Sequence, residues 1–553
     1  MLKKKKFLFL AAFLVFTLVL VACGNNNDEP ADGPTDATDT TEVTGDPTDS
    51  TDEPSVAGGV NVNGYADEFI IGMGGNIGQL DPHAQNLTPS AQVLVHVLNR
   101  LVFQDAEMNI HPELATSWEQ LDDRSWQFEL RDDVYFHNGD KLTANDVAFS
   151  FRRGVPQSQV EPVIGMIDVD GIEVLSDYSI IIRTAEPFAP FLAHLAHPAA
   201  SILPESVFAD IAVSPDDPVP YSYIIGSGPY RIVEHISGDQ LVMERVDTYW
   251  RETPNIRRIV KRIIPEPAAR TMALETGDVD AIAAPLVQDI ARLEADPNVN
   301  VLYIDGLGVE YVLMNTEIIS DPRVRQAINY ASNGEQIVNV ISEGTAAYAT
   351  GWVNHLTFGH NPNYVGFPFD VERARELMIE AGYSGEAGAA DLSFNIYANG
   401  ENLVRQQAAT ILQEQLREIG IELSIQTPEF NTMMTGVIAD GAAPMATLGW
   451  GTVTGDADYA LFPLFHSAAI GGTNHARFSN ADFDDLVERA RTSTDPAYRE
   501  ARYWEAQEIL REYAPWILLS NNVIRIPAQT NVRGAILMAH QSHIFSNVYF
   551  VSE

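Results

Sequence analysis

Cysteine is almost absent: Cys23 is the one thiol in 553 residues. No intrachain disulfide can form, so stability has to come from packing. Lysine is nearly as scarce. After Lys3, Lys4, Lys5 and Lys6 only Lys141 and Lys261 follow, whereas arginine is plentiful. Lysine loses its charge near pH 10 and arginine does not. An acidic, lysine-poor exterior suits an alkaline medium, and a genome rich in arginine codons gives the same usage. Positive charge as a whole is short, with 34 Lys+Arg against 76 Asp+Glu and a formal net charge of -42. Nucleic acid is a poor partner for such a chain, and anionic lipid headgroups would repel it. Catalytic signatures are missing too. There is no G-x-x-x-x-G-K-[ST], no H-E-x-x-H and no G-x-S-x-G. "GMGGNIG" at 72–78 follows a strand pattern, but the third glycine of a dinucleotide fingerprint would fall at Ile77, and Asp81-Pro82 stands where the helix should open. The histidines are scattered; His355 with His360, and His466 with His475, are poorly spaced for a metal. No nucleophile, base and orienting group come together, so no enzyme, catalytic residue, metal or cofactor is expected.

What is present begins at the N-terminus. A lysine cluster precedes Phe7 to Ala22, a run in which only Thr17 is polar. The run is short for a membrane span, which needs about 20 apolar residues, and suits a signal peptide over 1–22. Leu20-Val21-Ala22-Cys23 resembles the bacterial lipobox, whose cysteine is diacylated and becomes the new N-terminus. Two acyl chains give stable anchoring where one does not, so Cys23 is expected to be a lipid attachment point. Residues 23–65 follow, rich in Asp, Thr, Pro and Gly and without a basic residue. Such a segment buries too little apolar surface to offset its ordering entropy, and its acids repel one another. It reads as an acidic disordered tether.

The remaining residues suffice for two or three cores. They contain no further apolar run of membrane-spanning length. Patterns of mixed α/β type recur. "DEFIIGMG" reads as a strand, "SAQVLVHVLNRLV" (90–102) as a helix, and "SWQFELR" (125–131) as a half-buried strand. Thr143 caps a helix in "TANDVAFSFRR", and Gly382 and Gly420 stop two others. "NADFDDLVERART" and "PAYREARYWEAQEILREY" add two more helices.

"LDPH" (80–83) and then "HPELATSWEQLDDRSWQFELRDDVYFHNGDKLTANDV" resemble the family 5 extracellular solute-binding proteins, the peptide receptors of ABC importers. "GSGPYRI" (226–232), "VDTYW" (246–250), "ARTMALETGDVDAI" (269–282), "MNTEIISDPRVRQAINYAS" (314–332), "ARELMIEAGY" (374–383) and "FSNADFDDLVERA" (478–490) continue the resemblance in order. It spans about residues 66 to 550. It implies an α/β fold of the periplasmic-binding-protein-like type II, cluster C: two lobes with hinge strands plus an extra domain. By analogy, domain I comprises 66–105, 226–306 and 529–553, domain II 106–225, and domain III 307–528. The implied function is to capture peptides or peptide-sized solutes outside the membrane and deliver them to an ABC permease and ATPase. The chain would act as a monomer, lipid-anchored on the extracellular face of the bacterial cytoplasmic membrane. A solute- or peptide-sensing receptor, or a receptor for a non-peptide ligand such as an oligosaccharide, is the alternative.

The resemblance also carries ligand-contact positions. The ammonium-binding aspartate of the peptide receptors lies three residues after the tryptophan of a Gly-Trp pair. Here the pair is Gly449-Trp450, and Val453 occupies that place. Stranding a buried ammonium costs about 3–5 kcal/mol. Either the ligand lacks a free ammonium there, or Asp456, Asp458 or another cleft acid substitutes; turn formation and capping are the plainer roles for these two aspartates. Asn76, Ile77 and Gln79 follow the first strand, where the family meets ligand backbone. Gly226 and Ser227 stand at the return from domain II, Trp450 is a candidate stacking wall, and Arg405 could meet a carboxylate. Trp352 and Asn474 are candidates by family position.

Overall fold

The computed structural model describes residues 68–400 and 402–551. Cys23, the apolar run before it and the acidic segment lie outside the described residues. A ten-stranded sheet organises the fold. At its centre two long strands, Val299–Met314 and Trp516–Gln529, run antiparallel. On one side Met445–Gly451, Leu392–Tyr397 and Ile421–Gln426 follow in that order. On the other lie Ala281–Ile282, Glu68–Met73, Arg258–Ile263, Gln240–Arg245 and Tyr230–Ile236. The central pair changes register between Asp305 and Val309. Gly306 and Gly308 sit in that interval, and a Cβ at Gly308 would stand 2.2 Å from the Asn522 amide nitrogen. Only glycine lets the strands approach this closely where the ladder breaks.

A separate four-stranded antiparallel sheet carries Ala115–Gln120, Ser125–Leu130, Ser179–Thr184 and Ile167–Ser176 in spatial order. Its inner face builds a core with Phe128, Phe151, Ile180 and Phe191. Tyr459, far away in sequence, packs into the same core. The segment after Gly449-Trp450 therefore reaches across to this sheet.

Most sequence-predicted elements form where their capping residues put them. The helix Ala144–Gly154 begins after Thr143, and the Asp146 carboxylate accepts from both the Thr143 N–H (2.9 Å) and its hydroxyl (3.0 Å). The helices Val371–Glu380 and Leu403–Arg417 precede Gly382 (φ 96°) and Gly420 (φ 78°). One expectation is corrected. The helix expected over 90–102 spans Thr88–Val97. Its periodic continuation is taken up elsewhere: Glu113 accepts from the Asn99 amide (2.8 Å) and the Arg100 N–H (2.8 Å), and the Val97 carbonyl accepts from Gly228. Tertiary hydrogen bonds to a carboxylate outweigh one more helical turn, each charge-assisted bond being worth about 1.5–3 kcal/mol. Among the described residues, no helix is long and apolar enough to cross a membrane.

Candidate functional site

Three cavities adjoin one another through shared lining residues. The first, of about 310 Å³, is lined by Thr88, Gln104, Leu307, Gly449, Trp450 and Val453, together with Ala539 to Ser542 and the rings of His197, Tyr459 and His540. The second, about 600 Å³, shares Thr88 and Gln541 with it and adds Gly74, Gly75, Glu310 and Arg405. The third, about 330 Å³, shares Gln104, His540 and Ser542 with the first and reaches Arg100 and Glu113.

The Gly449-Trp450 strand end is held from both sides. The Trp450 indole N–H donates to the Tyr459 carbonyl (2.9 Å), and the two rings lie 5.7 Å apart. Gln104 donates to the Thr454 carbonyl (2.8 Å). Gly455 takes φ 70°, and a Cβ there would meet the Met108 methyl at 2.6 Å. This turn thereby fixes Val453 on the wall of the first cavity, which has no carboxylate among its described lining residues. Its two histidines are neutral at physiological pH. Burial pulls His197 down to about 3, with His540 adding to the effect, and burial and then Arg100 pull His540 down to about 4.

The second cavity holds an ion pair. Arg405, in the first turn of the helix Leu403–Arg417, donates from Nε to Glu310 Oε2 (2.9 Å) and from Nη2 to Oε1 (3.1 Å). Glu310 pairs in register with Gly449 on the neighbouring strand. A Cβ at Gly449 would lie 2.3 Å from Glu310 Oε1, so this glycine makes room for the carboxylate.

The expected contact residues divide by placement. Trp450 and Val453 line the first cavity and Arg405 the second. The others lie outside the linings of the three cavities. Asn76 is exposed and braces a turn, accepting from the Gly238 N–H (3.0 Å). Ile77 is core. Gln79 is buried, donating to the Ser214 carbonyl (2.8 Å) and accepting from the Asp81 N–H (2.9 Å). Gly226 packs where a Cβ would meet the Val97 carbonyl at 2.0 Å, and the Ser227 hydroxyl donates to Asn99 (3.0 Å). Trp352 lies in the core beside Phe465 and Trp516. Asn474 is buried, bonding the carbonyls of His466 (3.1 Å) and Phe478 (2.8 Å).

The two aspartates are spoken for. Asp456 accepts two bonds from Arg499 Nη2 (2.9 and 2.7 Å), and Asp458 pairs with Arg491 (3.1 Å). Burial drags the Arg499 guanidinium down, but the Asp456 carboxylate outweighs it and holds it above its usual value. Burial pushes the Asp458 carboxyl up, against the pull of Arg491. Neither aspartate lines the three cavities. The sequence reading missed Glu310, Thr88, His540 and Gln541. Glu310 had a signal, as the one charged residue in the apolar strand half "GLGVEYVLM".

Comparison with known proteins is extensive. The family model described as "Bacterial extracellular solute-binding proteins, family 5 Middle" matches residues 109–472. Heme-binding protein A of Haemophilus influenzae is 30% identical over 463 residues, covering 80% of this chain and 84% of the relative. The dipeptide-binding protein of Escherichia coli is 27% identical over 478 residues, covering 82% and 89%. A solved ABC transporter-associated periplasmic binding protein from Helicobacter pylori, in complex with the peptide STSA, superposes with a TM-score of 0.74 at 27% identity, covering 88% of this chain and 98% of that one.

Proposed function

The chain belongs to the bacterial extracellular solute-binding proteins of family 5, and from that membership we propose that it is the receptor of an ABC importer. It captures a peptide or peptide-sized solute outside the membrane and delivers it to a permease and its ATPase. Relatives named for heme and for dipeptides bracket the ligand chemistry. Domain I takes 66–105, 226–306 and 529–553, domain II 106–225 and domain III 307–528. The lobes close about the two long central strands, where Gly306 and Gly308 interrupt the ladder.

One observation selects among solutes: the first cavity presents Val453, two neutral histidines and no carboxylate among its described lining residues. A free ammonium placed there would lose its hydration without gaining a counter-charge, at a cost of about 3–5 kcal/mol. The part of the ligand that lies against Val453 is therefore uncharged, as in a blocked or cyclic peptide, the middle of a peptide, or a sugar. Native mass spectrometry of the purified full-length chain, followed by denaturation, identifies the co-purified solute. A single blocked or non-peptide mass is expected; a mixture of linear peptides bound with free N-termini at this cavity would overturn the selection.

Cys23 supplies the membrane attachment in this reading. Cys23→Ser is expected to move the chain from the membrane fraction to the medium of a bacterial culture and to abolish incorporation of labelled palmitate. Continued membrane retention of the variant would remove the anchor role.

A further inference from the structure

Two neutral histidines, His197 and His540, line the first cavity, and no lysine, arginine or carboxylate lines it among the described residues. Arg100, which acts on both rings, lines the third cavity instead and is held by Glu113 through Nε (3.1 Å) and Nη2 (3.4 Å). His194, the other neighbour acting on His197, is itself pulled down to about 4 by burial and stays neutral.

The backbone pins the tautomer of each cavity ring. His197 Nδ1 accepts from the Ala199 N–H (3.1 Å), and His540 Nδ1 accepts from the Ser542 N–H (3.3 Å). A neutral imidazole has one lone pair and one N–H. With the lone pair engaged at Nδ1, the proton sits on Nε2. Among the described residues neither Nε2 bonds to the protein, and neither is a sealed, unpartnered atom, so both N–H groups open onto the cavities their rings line. Two other donors on this wall are occupied. The Trp450 indole donates to the Tyr459 carbonyl and the Gln104 amide to the Thr454 carbonyl, which leaves Gln104 Oε1 as an acceptor. Gln104 lines the same two cavities as His540.

These groups narrow the solute. A lining without charge disfavours an ammonium and a carboxylate alike. Two N–H groups that cannot accept suit an oxygen that does not donate, and a carbonyl oxygen has a lone pair for each. A secondary amide adds an N–H for Gln104 Oε1. A metal ion needs the Nε2 lone pair, and moving the ring proton to Nδ1 would set it against a backbone N–H. In a linear peptide the first amide lies within one residue of the free ammonium, about 3.8 Å along the chain. A cavity of about 310 Å³ would take in both. An acyl cap replaces that ammonium by the group that the histidines suit.

We propose that His197 and His540 recognise an acylated amino terminus of the solute: its carbonyl oxygen accepts from both Nε2–H groups and its amide N–H donates to Gln104. This rests on the receptor reading above and deepens it, selecting an N-acylated peptide over a sugar.

N-acetyl-dialanine and N-thioacetyl-dialanine test this. They have the same charge and nearly the same shape, and sulfur is the weaker acceptor. Titration calorimetry on the full-length chain in detergent is expected to show about tenfold tighter binding of the oxygen compound. His197→Asn with His540→Asn keeps an acceptor near each Nδ1 for the backbone and removes the Nε2–H. It should melt near the parent and bind both compounds equally. His197→Gln with His540→Gln carries an N–H out towards the Nε2 position and should restore part of the preference, which a merely structural role would not do. Should these variants fail to fold, nitrogen NMR of labelled histidines in the parent decides: a protonated Nε2 and a bare Nδ1 are expected at both rings, with both Nε2 signals moving when N-acetyl-dialanine is added. Equal affinities in the parent, a preference that survives in the asparagine variant, rings protonated at Nδ1, or nickel ion held by the parent and lost from the asparagine variant would each overturn the proposal. If neither compound bound at millimolar concentration while another solute co-purified, the acyl assignment would fall and the importer-receptor reading would stand. Binding of neither compound together with no co-purified solute would count against both.

Discussion

At pH 7, Lys261→Met is expected to raise the free energy of unfolding by about 5 kcal/mol, and the gain should shrink to almost nothing by about pH 10.5. Lys261 lies in the strand Arg258–Ile263 and is 0% exposed. Its Nζ has no hydrogen-bond partner among the described residues and sits 5.5 Å from the centre of the Phe545 ring. The rings of His96 and His543 are its titratable neighbours. Burial first, and Lys261 second, pull each of them down to about 3, so they bring no counter-charge. Burial alone pulls the Lys261 amine down to about 7. The sign follows from proton counting. Between pH 7 and 10.5 the unfolded chain holds a proton that the folded chain has released, so stability rises with pH across that window. Below pH 7 both states are protonated and the full cost of burying the cation remains. Asp280 works on the acid side. Burial pushes its carboxyl up to about 7 while one oxygen accepts from the Ile70 N–H (2.7 Å). Its charge therefore costs stability progressively from about pH 4 to 7. The two groups together put a minimum near neutrality and a rise towards alkaline pH. Guanidinium unfolding of parent and variant at pH 7, 8.5 and 10 measures the difference. A gain that is the same at all three would mean that the amine titrates normally in the fold. A profile that still rises towards alkaline pH in Lys261→Met would favour an alkaline surrounding over codon bias as the reason for so few lysines.

The fold was readable in the sequence because its cues are local. Thr143, Gly382 and Gly420 end or begin helices through contacts or backbone angles within one turn of themselves. Ordered motifs from "LDPH" to "FSNADFDDLVERA" resemble those of the family, and the family model covers the middle of the chain. The helix at 88–97 shows where local cues stop: Glu113 claims Asn99 and Arg100 from outside the segment. The cleft is less legible for the same reason. Its first cavity draws Thr88, Gln104, Leu307, Gly449 and Gln541 from five separate stretches, and no spacing rule joins them. Trp450, Val453 and Arg405 were reachable because a Gly-Trp pair and a helix start mark them. Ile77, Trp352 and Asn474 were placed by family position alone. Each turns its side chain to the interior.

Asp456→Asn is expected to cost about 3–5 kcal/mol of stability while changing solute affinity little. The residue was a candidate to replace the missing ammonium-binding acid, and its surroundings argue for a different duty. Its carboxylate is 5% exposed as a residue and accepts two bonds from Arg499, itself 7% exposed. Arg499 also donates to the Ala490 carbonyl (3.0 Å) and the Tyr503 hydroxyl (3.2 Å), so the pair ties the Gly455 turn to the helix Pro496–Tyr513. The amide keeps the volume and removes the charge, leaving a buried guanidinium without its counter-ion. Replacing both partners strands no charge. Asp456→Leu with Arg499→Met should recover most of the loss, and the resulting cycle isolates the pair. Val453→Asp makes the opposite demand. It adds a carboxylate to a cavity wall and should leave the unfolding midpoint within about 1 kcal/mol of the parent. It should also shift preference towards linear peptides with free N-termini. Denaturant midpoints and calorimetric affinities on the same preparations separate the two positions. If Asp456→Asn instead lost solute binding at an unchanged midpoint, the acid would be serving the ligand. If Val453→Asp left selectivity untouched, the solute would not extend as far as the Gly-Trp turn.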